Sequence, residues 1–587
     1  MRKGIAVSPG VAVGTAYCIH EVFVEPSTQR LQDSEISAEL ARYEVARDKT
    51  AADLRALRKK VEKQVGHEEA AIFGVHESIL YDAAFSNKLR LWIVDERITA
   101  PAALHRLVNH YTSLFARTKD EYLKERLNDV RDVAIRISAH LSDVLAEKTP
   151  EVTGPLIVVA DELLPSQVVA LGDVEVRGIV TQSGSQTSHA AIIARSRGIP
   201  AVSGVRGILN QIHTGDTIVV DGRDGHVAIN TDAESLAAYR KLEREFFHLK
   251  DELAENRDQP AVTADDQPLD LLANINNVAD AKAAHAMGAT GVGLYRTEYL
   301  YLAHPDVPDE EEQYAAYCDV IRGVPGQTVT IRTLDIGGDK TVPYLGHNQS
   351  EANPFMGWRS IRLSFEHPEF FVSQLKAILR AAVVADETGG SVRMMFPMIT
   401  TLEEVRRVRN IVRRAIRQLR KDKIPHREIP LGMMLEVPAA AVSIKDILGE
   451  VDFVSIGSND LVQYLMAADR DNPKVSHLCQ PLAPAVLRTL KFVIDACNEA
   501  GKSVTLCGEM AGQPRAFMVL LGMGLRCFSM SPAFIPSIKE LACHLSVSHA
   551  QEIVEHALTL NTIARVQRYL RDNLTAIAPN IAMLDME

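Results

Sequence analysis

Hydrophobic and polar positions change period several times along the chain, and each change marks a boundary. Residues 1–18 carry short apolar runs on either side of Ser8-Pro9-Gly10. This pattern predicts strands around a turn. The segment is too small to fold alone, so later residues must complete its sheet. From about Asp33 to Glu147 the pattern becomes helical: Leu40, Leu54, Leu57 and Val61 recur among many charges, with Ser34 and Ser37 available as caps. Further helices are expected over Ala70–Tyr81, Ala103–Phe115 and Thr118–Leu145. Few Gly or Pro interrupt them, so the stretch reads as an inserted helical bundle. His76 and Asp82 lie near a helix end and read as part of a solvated face.

Strand texture returns at Pro155–Ala160 and Val176–Val180, and Asp216–Asn230 reads as a hairpin around Asp221-Gly-Arg-Asp-Gly225. With the N-terminal strands these make one α/β domain from residues 1–22 and 148–230, interrupted by the helical insertion at 23–147. Residues 231–260 form a charged helix that Arg257-Asp-Gln-Pro260 ends, a natural connector between domains. Over residues 261–587 apolar strands alternate with helices. The strand candidates are Leu269–Asn277, Gly291–Glu298, Val329–Ile336, Val392–Ile399, Leu431–Val437, Phe453–Asp460, Val504–Glu509 and Arg526–Ser531. Eight strands with helices between them point to a (β/α)8 TIM barrel, with a doubly wound open sheet as the alternative. The fold class is multidomain α/β.

Composition adds limits. The 587 residues suit three or four domains, and 46% hydrophobic with 24% charged residues is ordinary for a globular protein. The net charge of −12 and the lack of a basic block argue against nucleic acid and anionic membranes as partners. No secretory leader and no bilayer-spanning run is expected. Seven scattered cysteines without a C-x-x-C pair fit a reducing cytoplasm rather than a disulfide framework or a structural zinc site.

Two places carry candidate chemistry. In Thr181-Gln-Ser-Gly-Ser-Gln-Thr-Ser-His189-Ala-Ala-Ile-Ile-Ala-Arg, a strand leads through small residues to a helix expected from about Ala190. His189 would sit at the helix N-terminus, where free N–H groups and the dipole suit an anion. By itself such a histidine reads as a cap; beside a phosphoryl donor it reads as an acceptor. The second place is the C-terminal rim of the barrel, where the active sites of this architecture lie. Arg296, Arg332, Arg359 and Arg470, the last expected in the helix after strand six, can surround a small polyanion. Glu436 and Asp460, with Asn459 beside them, offer hard oxygen ligands for Mg²⁺. Cys507 can act as an acid toward a carbon centre near the metal. Gly501-Lys502-Ser503 imitates the end of a phosphate loop, but Ala496 stands where that loop needs glycine.

These blocks together resemble Enzyme I of the bacterial phosphotransferase system, the phosphoenolpyruvate–protein phosphotransferase family. The likeness runs from Gly4-Ile-Ala-Val-Ser-Pro-Gly10 through Gly184-Ser-Gln-Thr-Ser-His189, Gly291-Val-Gly-Leu-Tyr-Arg-Thr-Glu298 and Ile331-Arg-Thr-Leu-Asp-Ile-Gly-Gly-Asp-Lys340. It continues through Ser455-Ile-Gly-Ser-Asn-Asp460 to Leu506-Cys-Gly-Glu509. The resemblance implies that phosphoenolpyruvate phosphorylates His189 through Nε2, and that the group passes to a histidine of the small carrier HPr with release of pyruvate. It implies that Glu436 and Asp460 hold Mg²⁺ and that Arg296, Arg332, Asn459, Asp460 and Arg470 bind phosphoenolpyruvate. It further makes Cys507 the acid that protonates the enolate. The helical insertion becomes the HPr-binding domain, and the barrel the part that forms a homodimer. Two departures stand out: Gly184-Ser185-Gln186 where the family often has Gly-Gly, and Ala483-Pro-Ala-Val-Leu487, preceded by Cys479, where His-Pro-Ala-Val-Leu is common. A phosphoenolpyruvate synthase or pyruvate phosphate dikinase would share both chemical blocks but is expected to add an ATP-binding domain. A regulatory use of the same chemistry is the third reading.

Overall fold

The computed structural model describes residues 2–19, 30–64, 67–115, 121–141, 154–163, 176–183, 194, 199–302, 307–337, 353–470, 472 and 474–585. The chain divides into two compact units, Met1–Phe247 and His248–Asp585. In the first, eight strands form one sheet: β1 Arg2–Lys3, β2 Ile5–Ser8, β3 Val11–Ile19, β4 Leu156–Ala160, β5 Val176–Thr181, β6 Ala201–Ser203, β7 Thr217–Asp221 and β8 His226–Ile229. Their order is β1-β8-β7-β3-β4-β5-β6-β2. The N-terminal strands are indeed completed by later residues: β3 lies parallel to β4 and antiparallel to β7. β7 and β8 form the expected antiparallel hairpin. Ala12, Ala16, Ile157, Val159, Val180, Val202 and Ile218 supply the core on one face of the sheet.

Between β3 and β4 the chain leaves the sheet for helices over Ile36–Gln64, His67–Tyr81, Ala83–Asp95, Ala100–Phe115 and Glu121–Leu141. Their shared core is built from Tyr43, Leu54, Phe73, Leu80, Phe85, Leu89, Ile93, Leu104, Leu107 and Ile137, among others. The helix Ala83–Asp95 departs from the sequence expectation, and it also corrects the reading of Asp82. That carboxylate is an N-cap, accepting a hydrogen bond from the Phe85 N–H at 2.9 Å. His76 is corrected as well: it is fully buried. Its Nε2 lies 3.2 Å from Asp129 Oδ1 and its Nδ1 3.8 Å from Asp132 Oδ2, so tertiary packing gives the imidazole two carboxylate neighbours.

The helix Ala233–Glu255 starts from an Asp232 side chain that accepts the Ser235 N–H at 2.8 Å. Leu236, Tyr239 and Leu242 pack on Val11, Val13, Val219 and Ala228, and Glu243 accepts the Val13 N–H at 2.9 Å. Farther along, Leu249 and Leu253 join the core of the second unit.

That second unit is a closed parallel barrel of eight strands, so the open-sheet alternative falls away. The strands are β9 Asp270–Ile275, β10 Gly291–Arg296, β11 Thr328–Arg332, β12 Ser391–Phe396, β13 Leu431–Leu435, β14 Phe453–Ile456, β15 Ser503–Leu506 and β16 Cys527–Met530. β16 pairs with β9 from Cys527↔Asp270 to Met530↔Ala273 and closes the ring. Leu294, Met395, Met434, Phe453 and Cys507 form a separate apolar cluster of the barrel. Gly501 and Lys502 form the turn before β15, and Lys502 Nζ donates to the Val451 carbonyl at 2.8 Å, a structural use of the imitation phosphate loop. No helix among the described residues is long and apolar enough to cross a membrane.

The Asp82 cap yields a direct test. Asp82→Ala should cost about 1 kcal/mol, read as a lower thermal midpoint of the transition that carries the N-terminal helices, with the barrel's transition unmoved.

Candidate active site at the barrel rim

The rim is organised by alternating charge. Glu298 Oε1 meets Arg332 Nη2 at 2.6 Å, and Arg332 Nη1 meets Asp335 Oδ2 at 3.0 Å. Asp335 Oδ1 meets Arg359 Nη2 at 3.0 Å, which also reaches Asp460 Oδ2 at 3.2 Å. Asp460 Oδ1 takes Arg470 Nη1 at 2.8 Å. All of these side chains except Arg470 are buried. Buried charges survive only when paired, and the alternation pairs each one.

Local structure explains how the sequence reaches this arrangement. Arg332 ends β11, level with Arg296 at the end of β10. After β11 the chain leaves the ladder: Thr333 N–H still bonds the Met395 carbonyl at 2.9 Å, but Asp335 already lies in the turn. Gly337 has φ +113°, and a β-carbon there would stand 2.3 Å from Arg359 Cβ, so only glycine lets the two segments approach. Arg359 reaches the rim from the segment between the short turn Pro354–Met356 and the helix Ile361–Glu366. Its Nη1 donates to the Tyr464 hydroxyl at 3.3 Å, and that hydroxyl donates to the Phe355 carbonyl at 2.5 Å. Asp460 and Tyr464 share the helix Ser458–Met466. Arg470 lies past that helix, in the following turn, where its N–H bonds Gln463 Oε1 at 3.0 Å. This corrects the expectation that it sits within the helix: Ala467 adopts a left-handed conformation and ends the helix first.

Glu436 is buried at the end of β13 and accepts the Met398 N–H at 2.6 Å. Burial, and then the charges of Asp460 and Asp335, push its carboxyl up to about 8. Arg332 and Arg359 stay charged: burial works against them, but Glu298 and Asp335 outweigh it for Arg332, and Asp335 and Asp460 for Arg359. Nε of both arginines is buried without a hydrogen-bond partner among the described residues. Two such donors, on arginines that share the Asp335 carboxylate, fit an anion. Glu436 and Asp460 fit Mg²⁺ in the same way. They are oxygen donors whose mutual repulsion a divalent cation would relieve. Among the described residues no three His, Cys, Asp or Glu gather to cage a metal by themselves.

Cys507 follows β15, buried; its thiol lies 3.5 Å from the Ile456 carbonyl. Burial is the largest influence and raises the thiol, so it keeps its proton at neutral pH. Gly508 beside it has no room for a β-carbon, which would fall 1.7 Å from Ser458 Oγ. Asn459 Oδ1 accepts the Glu509 N–H at 3.1 Å and so joins the loops after β14 and β15. Glu298 and Asp335 lie within the sequence blocks quoted above but carry no assigned part there, and Tyr464 is not singled out. The three-residue spacing of Arg332 and Asp335 was the visible signal for one of them.

His189 and the turn Gly184-Ser185-Gln186 lie outside the described residues. The approach to them is described. Thr181 ends β5 with its hydroxyl on Ser203 Oγ at 2.8 Å, and Asp161 Oδ1 accepts Gln182 Nε2 at 3.0 Å and Ser183 Oγ at 3.2 Å. Ala483, the other departure, precedes Pro484 at the start of the helix Pro484–Glu499, and Cys479 Sγ lies 3.2 Å from the Ala468 carbonyl.

Three family models match this chain: "PEP-utilising enzyme, N-terminal" over residues 3–126, "PEP-utilising enzyme, mobile domain" over 152–225 and "PEP-utilising enzyme, PEP-binding domain" over 250–547. Fold and family models thus define a phosphoenolpyruvate-utilising enzyme, with the N-terminal, mobile-domain and PEP-binding modules of that class. Its curated relatives include proteins named phosphoenolpyruvate-protein phosphotransferase. That of Geobacillus stearothermophilus is 41% identical, covering 97% of this chain and 97% of the relative. That of Bacillus sp. (strain S) is 40% identical over the same shares. That of Haemophilus influenzae is 37% identical over 98% and 99%. The chain belongs to the phosphoenolpyruvate–protein phosphotransferases, the Enzyme I family.

The state of the Cys507 thiol is open to measurement. With iodoacetamide at pH 8, exposed Cys543 should be modified well ahead of buried Cys507, read by mass spectrometry. Because burial lifts Cys507 above the ordinary thiol value of 9.0, its alkylation rate should still be climbing above pH 9.

Proposed function

We propose that this chain takes the phosphoryl group from phosphoenolpyruvate onto His189 Nε2 and hands it to a histidine of the carrier HPr, the first step of the sugar phosphotransferase system. The observation that carries this reading is the rim itself: two buried arginines, each with an unpartnered Nε, beside the carboxylates Glu436 and Asp460. Few ligands other than a small phosphorylated acid with a divalent cation answer both needs.

The residues divide the work. Arg296, Arg332, Arg359 and Arg470 bind the phosphate and carboxylate of the substrate, with Asn459 and Asp460 completing the contacts. Glu436 and Asp460 would hold Mg²⁺, and the ion would supply positive charge against the phosphoryl oxygens and the departing enolate. As the P–O bond breaks, a P–N bond forms at His189, and the arginines neutralise charge where it develops. The enolate carbon then takes the proton of the Cys507 thiol, giving pyruvate and a thiolate that is reprotonated from water. A thiol held up by burial retains a proton for this use, and nearby Arg332 and Arg296 stabilise the thiolate that results. The helical segment 23–147 serves as the HPr-binding domain and the barrel region 261–587 as the dimerisation domain of a homodimer. Residues 1–22 and 148–230 carry the phosphohistidine, and 231–260 link them to the barrel. A net charge of −12 favours encounter with a basic carrier face, and seven scattered cysteines without a C-x-x-C pair suit the cytoplasm.

Radiolabelled phosphoenolpyruvate with Mg²⁺ and no ATP should place an acid-labile label on the full chain, and His189→Ala should abolish it. A wild type that stays unlabelled without ATP would defeat the reading. Cys507→Ala should retain substrate binding and lose most pyruvate formation, by about 100-fold or more, followed by coupled pyruvate detection.

A further inference from the structure

Asp335 is the group through which the two buried arginines meet. Arg332 comes from the end of β11 and Arg359 from a segment more than twenty residues later in the chain. One Asp335 oxygen takes Arg332 Nη1 and the other takes Arg359 Nη2, each at 3.0 Å. The second oxygen also accepts the Ser360 hydroxyl. Ser360 has φ +56° and ψ −125°, a conformation that a residue with a β-carbon adopts only under constraint. Two contacts hold it there: the Asp335 carboxylate, and a hydrogen bond from its own N–H to the Ile336 carbonyl at 2.8 Å. The backbone just after Arg359 is therefore shaped around Asp335.

We infer that Asp335 is a positioning residue for phosphoryl transfer, holding the guanidinium groups of Arg332 and Arg359 at one fixed separation so that they meet the phosphoryl group as a preformed clamp. The inference rests on the phosphoenolpyruvate reading above. It separates Asp335 from a merely structural ion pair by one feature of the network. Each arginine has a second carboxylate partner, Glu298 for Arg332 and, shared with Arg470, Asp460 for Arg359. Neutralising Asp335 thus leaves neither arginine buried without a counter-charge, but it uncouples the two from each other. It also removes a negative charge that competes with an incoming anion. Ground-state binding should hold or tighten while alignment in the transition state is lost.

The test uses the full-length chain, radiolabelled phosphoenolpyruvate and Mg²⁺, with rapid quenching to separate labelling rate from labelling stoichiometry. Asp335→Asn, close in shape to the wild type, should lower the maximal labelling rate by about 100-fold, with KM for phosphoenolpyruvate unchanged or lower and full stoichiometry. A structural role alone would give a lower melting temperature and fewer labelled molecules that still react at the wild-type rate, and would overturn the inference. So would a raised KM at an unchanged rate, which would make Asp335 a binding determinant. If Asp335→Asn folds poorly, Ser360→Ala carries the test, since it removes only the hydroxyl that orients the same carboxylate oxygen. Its rate should fall by about tenfold without a rise in KM, and a wild-type rate would overturn the inference. A wild type that takes no label would defeat the functional reading itself, whereas a labelled wild type matched by an equally fast Asp335→Asn would defeat the role of Asp335 alone.

Discussion

Burying charge at the open end of a barrel is the constraint on which the rest of this site depends. An uncompensated carboxylate or guanidinium in that position would cost several kcal/mol. The chain meets the constraint by alternation, from Glu298 through Arg332, Asp335, Arg359 and Asp460 to Arg470. Groups from the helix Glu298–Leu302, β11 and the turn after it, the segment before Ile361–Glu366, and the helix Ser458–Met466 are thereby committed to one geometry. Two local strains follow from it, the left-handed backbone at Ser360 and the close approach of Gly337 to Arg359. Both lie next to the arginines they help to place.

The same burial decides the chemistry of the neighbouring groups. Glu436 sits where burial and like charge oppose ionisation, so it gains from a bound cation more than an exposed carboxylate would. Cys507 rests beside Leu294, Met395, Met434 and Phe453, which keep its thiol protonated. One apolar floor and one charged rim thus bring a protonated thiol and a buried guanidinium close together. Among enzymes that move phosphoryl groups, positioning and fixed electrostatics carry most of the rate, and this rim is built from little else.

Much of this was legible from side-chain periodicity. All eight barrel strands were found, because strands covered by helices read as short apolar runs separated by breakers. The error was systematic at their C-terminal ends: Val329–Ile336 was read as continuous strand, whereas β11 stops at Arg332. Beyond that point apolar Leu334 and Ile336 still alternate with polar residues, but they pack against Tyr301 and Leu363 rather than within the ladder. The helix Ala83–Asp95 was missed although Phe85, Leu89, Trp92 and Ile93 share one helical face. Asp82 reads from the sequence as part of a solvated face, whereas it is the cap that starts that helix. His76 could not have been read locally, since its partner Asp129 is 53 residues away.

By itself the sequence determined the kinds of groups available and the ends of the strands that carry them, because hydrophobic period and strand-end position are local properties. It also named the histidine, cysteine, arginines and carboxylates of the proposed reaction. Tertiary structure alone decided which of those charges neutralise one another, and that Asp335 lies between two arginines. The reason is physical: pairing in a buried site depends on distances of about 3 Å between residues far apart in the chain, and such distances exist only once the barrel has closed.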